Sequence, residues 1–181
     1  MKYLIASDIH GSAYYCARLL QDFAREQADR LVLLGDILYH GPRNDLPREY
    51  APKRVIDLLN GIRQHIFCVR GNCDAEVDQL VLHFPILADY ALLEAGGRLI
   101  FATHGHHYNL EHLPPLQPGD VLLHGHTHVP AWVPFGQNNL YLNPGSVSLP
   151  KGGSTQGYLL LDGSTAIWKE LGGQTLHQLT L

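Results

Sequence analysis

Three short, mostly apolar runs in the first seventy residues, Lys2 to Ser7, Leu31 to Leu34 and Ile66 to Val69, each stop at a polar turn rich in Asp, Asn and Gly. Two stretches with apolar residues at helical spacing lie between them. Ala13, Cys16, Ala17, Leu20, Phe23 and Ala24 follow Ser12, a good N-cap, and predict a helix to about Ala28. Pro52 suits the first residue of a second helix that carries Val55, Leu58, Leu59 and Ile62. Strands that are apolar on both faces, alternating with helices, predict a parallel sheet with right-handed crossovers.

The second half has a different texture. A short helix is expected near Ala75 to Leu82, then a hairpin of Tyr90 to Glu94 and Leu99 to Ala102 around Ala95-Gly96-Gly97. Residues 109 to 119 hold three prolines and read as loop. Val121 to Leu123 reads as a strand, and the remaining strands are expected at Val129 to Phe135, Leu140 to Leu142, Tyr158 to Leu161, Ala166 to Leu171 and Thr175 to Leu181. No linker separates the two halves, so residues 1–181 are expected to form a single α/β domain of two sheets with helices outside. The stretch from Tyr39 to Pro52, with Pro42, Asn44, Pro47 and Pro52, is a long loop of the kind that is usually functional or mobile.

Composition narrows the function. A formal charge of −4 argues against a broad surface for nucleic acid or anionic membrane. Three cysteines, Cys16, Cys68 and Cys73, have no CxxC spacing and suggest no disulfide framework, which suits a reducing cytoplasm. Asp8 and His10 come too early for a signal-peptide apolar region, and no run reaches the length of a membrane span. The chain is therefore expected to be a cytoplasmic protein. Its twelve histidines are the unusual feature of the composition, because imidazole carries protons near neutral pH and ligates metals.

Polar segments close five expected strands: Asp8-Ile9-His10, Gly35-Asp36, Gly71-Asn72-Cys73-Asp74, His104 and Gly125-His126-Thr127-His128. Ligands bind at the carboxyl ends of strands in open α/β sheets, so these segments should converge. Each alone has an ordinary explanation as a cap, a turn former or a core histidine. Together, four imidazoles, two carboxylates and one amide make seven ligands, enough for two ions if one carboxylate bridges. His126 and His128 share a side only if the chain stays extended; a turn lets each ring approach a different ion. A nitrogen and oxygen set without thiolate suits Mn, Fe, Co, Ni or Zn. Two such ions about 3.5–4 Å apart can hold a hydroxide and clamp the oxygens of a phosphoryl transfer.

Asp-x-His, Gly-Asp, Gly-Asn-x-Asp, a lone His and Gly-His-x-His, in this order, resemble the calcineurin-like metallophosphoesterase superfamily. Chain length, the Gly-Asn-Cys-Asp variant and Asn143-Pro144-Gly145-Ser146 resemble in particular its small YfcE-type phosphodiesterases. The resemblance implies two facing mixed β-sheets flanked by helices, an αββα sandwich with the metals at one edge. It also implies that Asp8, His10 and His128 hold one metal, that Asn72, His104 and His126 hold another, and that Asp36 bridges them. Two divalent ions, manganese first among them, and hydroxide attack in line on the phosphorus of a small phosphodiester follow from it.

Relatives with strong phosphomonoesterase activity usually carry a histidine where this chain has Cys73, paired with the acid at Asp74, to protonate the leaving oxygen. A thiol is shorter and lacks the second nitrogen an acid can orient. Weak or absent phosphomonoesterase activity is therefore expected, with Cys73 and Asp74 as the catalytic candidates. Arg43, Asn44, His106 and His107 are candidates for substrate contact, His40 lies in the same loop, and Asp74 is expected to orient Asn72 or a ligand histidine. His124 reads as structural. Short nucleic-acid ends are a substrate variant, and the C-terminal strands offer a face for a homo-oligomer. The competing function is a non-catalytic metal-binding scaffold for protein interaction with the same fold.

Overall fold

The computed structural model describes all residues 1–181 and contains eleven strands and two α-helices. Strand β1 (Lys2–Ala6) is followed by α1 (Ala13–Arg25), β2 (Arg30–Leu33), α2 (Pro52–Asn60) and β3 (Ile66–Cys68). The three strands pair in parallel in the order expected from the alternating pattern. Ser12 caps α1 by accepting the N–H of Tyr15 through its side chain. The helix ends at Arg25, three residues short of the expected end. Gln27 turns into the left-handed region at φ 52°, and the Asp29 N–H is drawn to the Lys2 carbonyl at 2.9 Å.

The hairpin β4 (Tyr90–Ala95) and β5 (Arg98–Thr103) begins a second sheet, continued by β6 (Val121–His124), β7 (Ala131–Phe135) and β8 (Asn139–Asn143). The last strands, β9 (Gly157–Asp162), β10 (Thr165–Glu170) and β11 (Thr175–Thr180), return to the first sheet, where β9 pairs antiparallel with β1. The sheet orders are β11-β10-β9-β1-β2-β3 and β4-β5-β6-β8-β7. Both sheets are mixed, and β1 sits between the parallel and antiparallel parts of the first.

Period-two alternation divides the core. Leu4, Ala6, Leu31, Leu33 and Leu160 face α1 and α2 with Cys16, Leu19, Val55 and Leu59, whereas Tyr3, Ile5, Val32, Leu34, Leu159, Leu161 and Trp168 face the second sheet with Ile100, Val121 and Leu123. Helices thus cover the six-stranded sheet. Over the outer face of the five-stranded sheet, Phe101, Leu122 and Tyr141 pack under Tyr108 and Leu116 of a segment that forms no helix. The short helix expected at Ala75 to Leu82 is one 3₁₀ turn, Asp78–Leu80. Side chains take over the main-chain groups there: Asp78 accepts the Ala75 N–H at 2.9 Å, and Gln79 bonds the carbonyls of Leu82 and Phe84 and the N–H of Ile86. No helix is long and apolar enough to cross a membrane.

Parallel pairing brings the carboxyl ends of β1, β2 and β3 to one end of the first sheet and those of β5, β6 and β8 to one end of the second. All five polar segments singled out from the sequence follow strands in these two sets.

Candidate metal centre

The main chain beyond the strand ends is bent hard. Asp8, His10, Asp36, His126 and His128 all lie at positive φ, between 49° and 64°, a region costly for residues with a Cβ. Such conformations persist only where surrounding structure fixes them. The loops after β1 and β2 hold each other, with N–H groups of Asp8, His10 and Gly11 donating to carbonyls of Gly35, Asp36 and Ile37 at 3.1, 2.9 and 2.8 Å. At Gly125-His126-Thr127-His128 the chain is turned, not extended, and Thr127 N–H closes onto the Gly125 carbonyl at 2.7 Å. His126 and His128 therefore point to different donor sets.

Close packing accounts for two of the glycines. A Cβ on Gly71 would collide with the Asp36 carboxylate and main chain, and one on Gly125 would collide with the Ser7 hydroxyl. In each case the glycine lets a ligand-bearing loop approach the end of another strand.

Donor atoms then converge in two sets. In the first, the Nε2 atoms of His10 and His128 lie 3.3 Å apart, and Asp8 Oδ1 is 3.2 Å from His128 Nε2. In the second, His104 Nε2 lies 3.0 Å from Asn72 Oδ1 and 3.1 Å from His126 Nδ1. Asp36 Oδ2 stands 3.6 Å from His10 Nε2 and 3.5 Å from His104 Nε2, within reach of both.

Hydrogen bonds on the far side of each ring settle which nitrogens are bare. His10 Nδ1 meets the Tyr39 carbonyl at 2.8 Å, His104 Nδ1 the Leu34 carbonyl at 2.7 Å, and His128 Nδ1 the Leu149 carbonyl at 2.6 Å. A carbonyl only accepts, so each Nδ1 carries the hydrogen and each neutral ring turns a lone pair on Nε2 inward. Lone pairs facing lone pairs at about 3 Å repel unless a cation lies among them. Buried Asp8 Oδ1 has no hydrogen-bond donor, which fits the same requirement. The residues present thus fit divalent metal ions, and the combinations Asp8–His10–His128 and Asp8–Asp36–His104 are compact enough to hold one.

Electrostatics agree. Burial works against a charged Asp8, but positive charge placed on the His10 and His128 side of it, where a cation would sit, holds its carboxyl well below the usual range. Burial likewise opposes a positive His10, yet neighbouring Asp8 raises its pKa, which marks a place that favours positive charge.

Asp74 differs from the expectation. Its carboxylate accepts main-chain N–H groups of Asp36 and Gly71 at 2.8 Å each and of Ile37 at 2.9 Å. It clamps the loops that carry Asp36 and Asn72 and orients neither the Asn72 side chain nor a histidine, because both its oxygens are taken. Burial raises its pKa. The Cys73 thiol is pushed up to about 12 by burial and by Asp36, and its main-chain N–H donates to Asp36 Oδ1 at 2.8 Å.

Around the donors lies a cleft of about 450 Å³, lined also by Gly41, Pro42, Arg43, Asn44, Cys73, Thr127 and Lys151. Arg43 and Asn44, the candidates for substrate contact from the long loop, are thus part of the lining. His106 and His107 are not part of this lining. His106 packs its ring against His104 and His107, its pKa lowered to about 4 by burial, and His107 is exposed. His40 packs against Tyr39 and Tyr50, and His124 is buried in a stack on Tyr141.

Several positioning residues escape sequence reasoning. Ser146 and Ser148 both donate to the Asp8 carbonyl, at 2.9 and 3.0 Å, and Asn143 Nδ2 donates to the Gly125 carbonyl and Thr127 Oγ1. The Asn143-Pro144-Gly145-Ser146 segment, legible only as a family mark, braces two ligand loops. Lys151 escapes as well, since a lone lysine after a proline has no local signal.

Residues 1–166 match the calcineurin-like phosphoesterase superfamily domain. Phosphodiesterase YfcE of Escherichia coli strain K12 is 49% identical over 90% of this chain and 88% of that protein, and the probable metallophosphoesterase YsnB of Bacillus subtilis is 32% identical over 99% and 96%. The solved structure of YfcE, described as a phosphoesterase from E. coli, superposes with a TM-score of 0.95 at 45% identity over 99% of both chains.

Proposed function

The chain belongs to the calcineurin-like phosphoesterase superfamily, and we propose on that footing that it is a metal-dependent phosphodiesterase acting on a small phosphodiester. One observation carries the reading: the bare Nε2 atoms of His10, His104 and His128 converge with the Asn72 oxygen, His126 and the Asp8 and Asp36 carboxylates, and those three rings have no hydrogen to offer their neighbours. Asp8, His10 and His128 would hold one divalent ion and Asn72, His104 and His126 a second, with Asp36 common to both. Ions so held supply positive charge for phosphoryl oxygens and lower the pKa of water into the neutral range. Manganese heads the candidates, with Fe, Co, Ni and Zn suited to the same donors.

The chain's own residues do the rest. Carbonyls of Tyr39, Leu34 and Leu149 fix three ligand rings, so little reorientation is needed when the site fills. Asp8 and Asp36 together bring two negative charges against four positive, which leaves the cleft attractive to an anionic ester. Cys73 offers a thiol that is shorter than imidazole and has no second nitrogen for an acid to orient, which makes it a poor proton donor toward a departing alkoxide. Substrates with good leaving groups, aryl diesters among them, depend least on that proton. Weak phosphomonoesterase activity is part of the proposal. Three free thiols suit a reducing compartment such as the cytoplasm.

A scaffold has no use for an uncompensated buried carboxylate oxygen at Asp8, which is costly without a cation. The test is hydrolysis of a bis-aryl phosphodiester beside the matching aryl monoester, by chelator-stripped protein given Mn²⁺. Metal-dependent turnover that favours the diester and collapses in Asn72→Ala is expected; no turnover with Mn²⁺, Co²⁺, Ni²⁺ or Zn²⁺ overturns the proposal. Cys73→His should raise the rate on an ester with an alkyl leaving group.

A further inference from the structure

Arg43 and Lys151 reach the same cleft from separate parts of the chain, one from the loop after β2 and the other from the segment after β8. Neither forms an ion pair with a carboxylate of the protein. The loops that carry them are nonetheless tied down. Lys151 N–H donates to the carbonyl of His128 at 3.0 Å, and its own carbonyl accepts the Ser154 hydroxyl at 2.6 Å. Beside Arg43, Asn44 Nδ2 donates to the His40 carbonyl at 2.8 Å. A neighbouring groove shares His126 and Thr127 with this cleft, but it is lined by Leu110, Glu111 and Tyr141 and by no lysine or arginine.

A simple diester does not need these cations. Two divalent ions against Asp8 and Asp36 leave a charge of +2, which an attacking hydroxide and a phosphodiester monoanion already cancel. The two side chains at the rim are surplus to that balance, and a guanidinium and an ammonium together match a phosphate. Resting on the phosphodiesterase reading, we propose that Arg43 and Lys151 form a subsite for a second phosphate group. The substrate class is then a phosphodiester with a further phosphate on one ester arm, while its uncharged arm lies along the groove of Leu110 and Tyr141.

Two colorimetric esters test this: the p-nitrophenyl ester of thymidine monophosphate, with and without a second phosphate on the free sugar hydroxyl. At low salt the doubly phosphorylated ester should have a kcat/KM higher by roughly fivefold, as two exposed charge contacts allow. That ratio should fall toward one in Lys151→Ala, in Arg43→Ala and at about 0.5 M salt, where exposed charges are screened. Lys151→Glu should invert it, and Lys151→Arg should keep it. Because the ratio is internal to each variant, loss of folded protein does not move it. Calorimetric titration of both esters into the Asn72→Ala protein reads the same gap as affinity, without turnover. Equal kcat/KM values and equal affinities in the unsubstituted rim, or a gap that survives loss of both cations, overturns the subsite. Failure of bis(p-nitrophenyl) phosphate to turn over would instead remove the phosphodiesterase reading, and the calorimetric gap would still decide the subsite.

Discussion

Two clusters of polar side chains are built around carboxylates withdrawn from water, and they are finished in opposite ways. Beside the end of α1, Glu26 Oε1 accepts the Tyr158 hydroxyl at 2.8 Å and Lys169 Nζ at 2.6 Å, while Arg25 pairs with Asp22 at 2.7 Å. No buried acceptor there lacks a donor. In the cleft, Asp8 Oδ1 has none, and the bare nitrogens of His10, His104 and His128 face other acceptors. Both clusters use carboxylates and long-range partners, so polarity alone does not mark a site. What marks it is an excess of acceptors that only an added cation can complete, together with strained backbone at the same residues.

The strongest way to break this contrast is to remove the carboxylate common to both donor sets. Asp36→Ala should lower phosphodiester turnover on the order of 10³-fold or more, measured in steady state at saturating Mn²⁺; more than a tenth of the activity remaining would mean that the two sets do not share it. Next comes the clamp beneath the site. Asp74→Ala leaves three main-chain N–H groups without an acceptor, which at about 1 kcal/mol or more each should cost about 3 kcal/mol in urea unfolding. A change under about 1 kcal/mol would show that the loops hold without it.

Metal should then distinguish the clusters directly. Mn²⁺ at about a hundred times its Kd adds about 2.7 kcal/mol to a protein that binds it only when folded, so Tm should rise by roughly 5–10 °C in calorimetry. The rise should be reversed by chelator, lost in Asp36→Ala and kept in Glu26→Gln. The smallest effect belongs to the completed cluster. Burial works against ionised Glu26, but Lys169 and Tyr158 hold its pKa below the ordinary value. A lowered folded pKa means stability present above the unfolded value of about 4.3 and lost as pH falls through the folded one. Glu26→Gln should therefore cost about 1 kcal/mol near neutrality, with the difference in Tm from the unsubstituted protein closing below about pH 4.

Much of this was legible in the sequence, because it depends on short-range pattern. Apolar runs too short for helices became strands, Ser12 capped α1, Pro52 opened α2, and the seven metal-type residues could be named with their strand ends. Local pattern misled where side chains compete with the helix, as Asp78 and Gln79 do at the single 3₁₀ turn. It was silent where the partner is distant, since the Tyr39 carbonyl lies far along the chain from His10 and that of Leu34 far from His104. Asp74 reads as the neighbour of Cys73 in sequence, but in space it belongs to the N–H groups of Asp36 and Ile37.

By itself the sequence determined the chemistry of the donors and the order of the strands that deliver them, since residue type and hydrophobic period are local properties. Only the tertiary structure decided which atom of each donor is free. A ring's bare nitrogen is chosen by the carbonyl on its other side, and that carbonyl comes from another element. The turn at His126 and His128, which sends the two rings to different donor sets, likewise exists only because Thr127 closes on Gly125 and Asn143 braces both from the next strand. Sharing of Asp36 by the two sets depends on where two sheets meet, and no stretch of sequence carries that distance.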